Sequence, residues 1–244
     1  MGQRLRSPEP ASLILLIAEN SLAIFNVSMP LNQRDLKSEL LDELDPEDPD
    51  AKRSRRDLRR INLFMGNNRW IRVEILKVLS QTDTKLNIIE IGSGDGQFLE
   101  SLKHVKGLNL KGVDLQPKPK SISSEIEWIH DDILNISDLP QNNSDPTAVI
   151  CNLILHHFTD DQLFKLGKLI SKANHIIINE PGRRLIPLLL GYLAFPLLGK
   201  VTRHDMIISI RAGFRDRELL KFFPSKHCLM IKETLRGGIR CHLS

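Results

Sequence analysis

The run Leu86-Asn87-Ile88-Ile89-Glu90-Ile91-Gly92-Ser93-Gly94-Asp95-Gly96-Gln97-Phe98 decides how this chain is read. Leu86 to Ile91 is a short apolar run of β type, and three glycines follow it at every second position. From Gln97 the apolar spacing turns helical. The stretch predicts a strand, a tight turn and the start of a helix. Glycines in such a turn tolerate positive φ and let a ligand pass close to the backbone. The helix behind them opens with unpaired N–H groups and partial positive charge, which suits a carboxylate or a phosphate.

Spacing separates two readings of that turn. A dinucleotide fingerprint runs G-x-G-x-x-G, with an acid about 20 residues on. Here Gly92, Gly94 and Gly96 read G-x-G-x-G, Gln97 stands where the third glycine belongs, and Glu90 precedes the first glycine by two positions. This E-x-G-x-G-x-G arrangement resembles motif I of the Rossmann-like, S-adenosylmethionine-dependent methyltransferases. The resemblance implies that Glu90 and the loop of Gly92, Ser93, Gly94 and Gly96 hold the methionine end of S-adenosyl-L-methionine.

A chain of 244 residues, 41% hydrophobic and 26% charged, has material for one α/β domain with a full core and an N-terminal extension. A net charge of +4 permits an anionic partner without demanding one. Aromatics are 5%, so base-stacking platforms are scarce and nucleic acid is disfavoured. Cys151, Cys228 and Cys241 form neither a disulfide framework nor a zinc pattern; no metal is expected, and a reducing cytoplasm is the simplest setting.

Residues 1–29 differ from the rest. Leu13 to Ala18 is apolar but breaks at Glu19, too short for a span or a signal core, and Arg6 spoils a myristoylation pattern. This segment is expected to be poorly ordered, and to be an over-extended gene start ahead of Met29. Glu39 to Asp50 is acidic, carries Pro46 and Pro49, and reads as a solvated linker. A basic amphipathic helix follows, with Lys52, Arg53, Arg55, Arg56, Arg59 and Arg60 facing water or the acidic segment and Gly66 as its stop. Arg69 to Leu79 is a second helix. The division expected is a charged segment 1–50, N-terminal helices 51–82 and the main domain 83–244.

Beyond Phe98, strands and helices alternate as a parallel sheet requires. Strands are expected at Leu110–Asp114, Ile126–His130, Ala148–Cys151 and His175–Asn179, with helices at Gln97–His104, Pro117–Ser124 and Asp160–Lys172. Asp216–Phe223 reads as a further helix, and Cys228–Leu235 and Ile239–Leu243, split by Gly237-Gly238, as a closing antiparallel hairpin. The fold class is α/β: a Rossmann-like, mostly parallel sheet with a C-terminal antiparallel hairpin and an N-terminal helical extension.

Ligands of such sheets bind beyond the C-terminal strand ends. The second strand ends at Asp114, 18 residues after Gly96, placed to accept both ribose hydroxyls of an adenosine, with Leu115 beside it. At the third end the resemblance implies that Asp132 bonds the adenine amino group and Ile133 offers its amide, although Asp131 replaces the family's usual glycine. The fourth end, Cys151-Asn152-Leu153-Ile154-Leu155-His156-His157-Phe158, resembles the N-x-x-L-H-H segment of small-molecule methyltransferases rather than the N-P-P-Y of enzymes acting on nucleobase or amide nitrogens. Asn152 joins the cofactor site on this likeness. His156 and His157, with His204 of the later Thr202-Arg203-His204-Asp205 patch, are the candidate proton acceptors. The fifth strand ends at Glu180, which either faces the site or starts a loop, and Arg203 or Arg211 either pairs with Asp205 or contacts the substrate. Arg60-Ile61-Asn62, Met65-Gly66 and the Thr-Arg-His-Asp patch also look like a bacterial subgroup encoded beside polyketide synthases.

The reading is a methyltransferase acting on a small, apolar acceptor, at oxygen. Leu185–Leu198, fourteen residues interrupted by Pro187, Gly191 and Pro196, is too short to span a membrane and is expected to line the acceptor site, with at most peripheral membrane contact. The alternatives are an RNA methyltransferase, motivated by the basic helix, and a non-catalytic cofactor-binding protein.

Overall fold

In the computed structural model, residues 31–45, 47–139 and 145–244 are described. The expectations for residues 1–29 therefore fall outside the described part. The elements run α1 (Leu40–Glu43), α2 (Pro49–Met65), α3 (Asn67–Leu79), β1 (Leu86–Ile91), α4 (Gln97–Leu102), β2 (Leu108–Asp114), β3 (Glu127–His130) and β4 (Thr147–Asn152). They continue with α5 (Asp160–Leu169), β5 (His175–Pro181), α6 (Leu185–Ala194), α7 (Lys200–Ala212), β6 (Cys228–Glu233) and β7 (Gly238–Leu243). Residues Arg34–Ser244 form one compact unit.

The strands make a single seven-stranded sheet in the order β3-β2-β1-β4-β5-β7-β6. β1 to β5 are parallel, and β7 inserts between β5 and β6, antiparallel to both. Strand order reverses at β1, whose neighbours are β2 and β4, so a crevice opens at the C-terminal ends of β1 and β4. Alternation along β1 explains its burial on both faces. Leu86 and Ile88 pack with Ile71, Ile75, Leu99 and Leu102 of α3 and α4. Ile89 and Ile91 face Leu163 and Leu166 of α5, with Phe214 and Phe222 completing that layer.

Local chemistry sets the element ends. Asp48 accepts from the amides of Asp50 and Ala51 and caps α2, with Pro49 in its first turn; Gly66, at φ 68°, ends it. Thr159 and Gln162 form a reciprocal capping box on α5. At Gly167 of α5 an added Cβ would stand 1.9 Å from the Phe222 carbonyl oxygen, so this helix rides directly on the C-terminal chain.

Three expectations change. Pro117–Ser124 forms no helix: Pro117 and Pro119 lack the N–H that helical turns use, and the segment is held by Lys118 and Trp128 bonding the carbonyls of Ile126 and Gln116. The acidic stretch read as a solvated linker contains α1. Its first two amides, Leu40 and Leu41, donate to the Asp205 carboxylate at 2.8 and 3.0 Å, and Glu39 is buried. Asp216–Phe223 is a 3-10 turn, Glu218–Phe222, rather than an α-helix. No helix of the described residues is long and apolar enough to cross a membrane.

Candidate cofactor and acceptor site

The loop after β1 is built as its glycines predict. Gly92, Gly94 and Gly96 all adopt positive φ, at 70°, 55° and 68°. At Gly92 a Cβ would strike Ile154 at 2.6 Å, so the loop following β4 lies tight against it. Gly94 is different: nothing stands within 4 Å of where its Cβ would be, which leaves its backbone open to an incoming molecule. Ser93 is buried and its hydroxyl donates to the Glu90 carbonyl, closing the turn. Gly96 caps α4.

Below the loop, Glu90 is buried at 3% exposure, and one of its carboxylate oxygens has no hydrogen-bond partner among the described residues. Burial, then the charges of Asp95 and Asp114, hold its carboxyl well above the usual carboxylate range. A buried, unpartnered acid is costly unless something binds it.

The neighbouring strand ends converge on the same edge. Asp114 accepts from the Gly94 amide at 2.7 Å through Oδ2 and from Gln116 at 2.8 Å through Oδ1, so it holds the glycine loop as well as facing the edge. Leu115 is exposed. His130 and the Asp131 amide tie β3 to β2 through the carbonyls of Leu115 and Asp114. Asp132 caps its own turn by accepting from the Leu134 amide, and Ile133 is buried in the layer behind. Asn152 accepts from Asn179 at 2.9 Å and donates to Asn68 of α3 at 3.3 Å. The acids and the asparagine named from the sequence thus all sit at C-terminal ends of β1 to β4.

The histidines separate. His156 is buried, with Nδ1 2.7 Å from Glu180 and Nε2 3.5 Å from Glu39. Burial alone would lower its pKa; the Glu180 and Glu39 carboxylates overcome that and push it up to about 9. Nδ1 of His156 is thus committed to Glu180, and Nε2 faces Glu39. His157 has the more accessible ring, 3.7 Å from Asp42, and burial followed by the neighbouring His156 charge lowers its pKa. His204 lies on α7 with its ring half exposed, bonded to Asp205 at 3.0 Å. Asp205 takes that ring and the two α1 amides, while Arg203 instead caps the Leu198 carbonyl.

Of the residues that organise this cluster, sequence reading placed Glu180 at the fifth strand end, facing the site or starting a loop, and missed Glu39 and Arg34. Glu180, fully buried, accepts from the amides of Ile154, Leu155 and His156 and fixes the whole turn after β4. Glu39 accepts from Ser209. Arg34 donates to the carbonyls of Leu155, His156, Phe158 and Ala212 and stacks 4.5 Å from the Phe214 ring, fastening residues 34–43 to that turn. The one local sign was Glu39-Leu40-Leu41-Asp42, two acids three apart around two leucines, which is the spacing of a helical turn.

The rest of the edge is covered by helices. Arg59 of α2 reaches Asp95 in the glycine loop at 3.3 Å, and Arg53 and Arg60 face Asp57, so part of the basic helix is paired within the fold. α6 buries Leu188 and Gly191 but leaves Leu185, Ile186, Leu189, Leu190 and Leu193 exposed, an apolar face beside α7.

No family model and no curated protein matches the chain. Solved structures do. The plantazolicin methyltransferase BpumL in complex with SAH superposes with a TM-score of 0.61 over 81% of this chain and 90% of that one, at 15% identity. The pyocyanin biosynthetic protein PhzM gives 0.57 at 13% identity, over 84% of this chain and 61% of its own. Human N-acetylserotonin methyltransferase in complex with SAM gives 0.53 at 14% identity, over 83% and 60%. The chain has the Rossmann-like methyltransferase fold. It includes the C-terminal antiparallel hairpin and the N-terminal helices.

Proposed function

We propose that this protein transfers the methyl group of S-adenosylmethionine to a hydroxyl of a small, apolar acceptor. The observation that carries the reading is Glu90: a buried carboxylate oxygen with no partner among the described residues, at the foot of a loop whose three glycines are left-handed. Such an oxygen matches a cationic amino group, and the open backbone at Gly94 leaves room for the carboxylate beside it. The chain's residues fit the cofactor. Glu90, Gly92, Ser93, Gly94 and Gly96 would take the methionine end, Asp114 the ribose hydroxyls, Asp132 and the Ile133 amide the adenine, with Leu115 and Asn152 flanking. The structural neighbours, two of them solved with SAH or SAM, support this choice.

Bound there, S-adenosylmethionine supplies a methyl on a sulfonium, which an acceptor oxygen displaces in line. The protein's tasks are then to align that oxygen, keep water out and provide for its proton. The apolar face of α6 is placed in this reading against the acceptor. The Glu39–His156–His157 cluster after β4 is the polar group that receives the hydroxyl end. Because Asp205 already carries the α1 amides, His204 serves α1 in this reading rather than the acceptor. Calorimetry with SAH tests the cofactor half, with micromolar or tighter binding expected. Incubating a cell extract with the protein and deuterated-methyl cofactor, followed by mass spectrometry, tests the transfer. No SAH binding by the folded chain would overturn the reading.

A further inference from the structure

The cluster that joins residues 34–43 to the turn after β4, with Glu39 and His156 buried and His157 at the surface, has the composition and spacing of a metal centre. Glu39, His156 and His157 each offer one ligand atom, and the three atoms lie within 4.8 Å of one another. Two imidazoles and a carboxylate are a donor set for borderline divalent ions such as zinc or iron(II), which leave further positions open. We infer that these three residues hold one such ion, bridging the N-terminal strap to the turn after β4.

Two further observations point the same way. The gap between His156 Nε2 and Glu39 is 3.5 Å. A direct charged hydrogen bond closes to about 2.7–2.9 Å. Two ligands at about 2.0–2.2 Å from a tetrahedral ion stand roughly 3.3–3.5 Å apart, which is the spacing found. Behind the imidazole, Glu180 lies 2.7 Å from Nδ1 of His156 and is itself fixed by three backbone amides. A carboxylate on the far ring nitrogen is how metal-bound histidines are oriented and their tautomer set. Besides Glu39 and Glu180, a third carboxylate, Asp42, stands 3.7 Å from His157. A divalent cation offsets that accumulation of negative charge.

The inference deepens the methyltransferase reading, since an ion there has open positions to bind an acceptor oxygen and favour loss of its proton. Its test does not depend on activity. The full chain, purified without a metal-affinity step and dialysed against a chelator, is titrated with Zn²⁺ in competition with a fluorescent chelator. One equivalent should bind with a submicromolar Kd and raise the thermal midpoint. Co²⁺ should give a visible absorption band from nitrogen and oxygen ligands. Glu39→Gln and His157→Ala should each weaken Zn²⁺ at least tenfold, and Glu180→Gln by about 10- to 100-fold. Glu39→Gln keeps the shape and the Ser209 contact, so it remains informative if a histidine variant fails to fold. Binding of no stoichiometric Zn²⁺, or equal binding by folded Glu39→Gln and His157→Ala, would overturn the centre. SAH affinity is measured on the same samples: its absence alongside intact Zn²⁺ binding would strike the cofactor reading only.

Discussion

Glu90→Gln isolates the charge that the cofactor reading depends on. The side chain keeps its shape at a position 3% exposed, and only the carboxylate is lost. In the free protein that carboxylate is unfavourable, because burial and then the charges of Asp95 and Asp114 raise its pKa well above the usual range. The sign follows from linkage. A group whose folded pKa exceeds its unfolded one binds protons more tightly when folded, so stability falls as pH rises from the unfolded value towards the folded one. The cost is about 1.4 kcal/mol for each tenfold difference in proton affinity. Glu90→Gln should therefore be as stable as the parent at low pH and more stable near neutrality, with the gap widening as pH rises. Cofactor binding moves the other way. Losing a charged hydrogen bond worth roughly 1.5–3 kcal/mol weakens SAH by about 10- to 150-fold. Affinity of the parent should rise with pH as Glu90 ionises more readily, while the variant's dependence flattens. Calorimetry across pH, paired with thermal melts without ligand, reads both effects. A folded variant that binds SAH like the parent, or that is clearly less stable near neutrality, would refute the assignment.

Other expectations follow from particular contacts. Asp114→Asn should weaken SAH at least tenfold and loosen the glycine loop, since Asp114 also holds the Gly94 amide; faster amide exchange at Gly94 checks the second effect. Arg34→Ala strands carbonyls of Leu155, His156, Phe158 and Ala212 and should cost about 1–3 kcal/mol, seen as a lower denaturation midpoint. Gly167→Ala drives a Cβ to 1.9 Å from the Phe222 carbonyl and should cost about 1–3 kcal/mol or more, measured by denaturant unfolding. Leu189→Asp and Leu193→Asp alter exposed positions of α6, so fold and SAH affinity should persist while turnover on the identified acceptor drops. Leu188→Asp, at 1% exposure, should unfold the protein, and wild-type turnover in the first two would remove α6 from the acceptor site.

How much was readable depended on the range of each interaction. β1, its glycine turn and the start of α4 were explicit because they need only neighbours in sequence. A short, nearly continuous apolar run marks a strand buried on both faces, and three glycines at every second position meet a backbone that turns left-handed three times. Gly66 and the Gly237-Gly238 pair announced a helix end and a hairpin for similar reasons. At Pro117–Ser124 a helix was expected from the alternation of elements, and two prolines decided otherwise. Asp114 was picked out because strand ends of a parallel sheet share one edge, while Asp132 and Asn152 were picked out through the family resemblance; all three stand at that edge.

The sequence by itself determined the sheet, its glycine turn and the polar residues at its C-terminal edge, since strand alternation and turn chemistry are written into runs of about ten residues. Tertiary structure alone decided what residues 34–43 do. Glu39 and Asp42 belong to a stretch whose composition reads as solvated, yet Asp205, Ser209, Arg34 and the turn after β4 draw them into a cluster with His156 and His157, in which Glu39 and His156 are buried. Pairing between charges more than a hundred positions apart leaves no periodicity in the chain; only the folded sheet brings them within hydrogen-bonding reach.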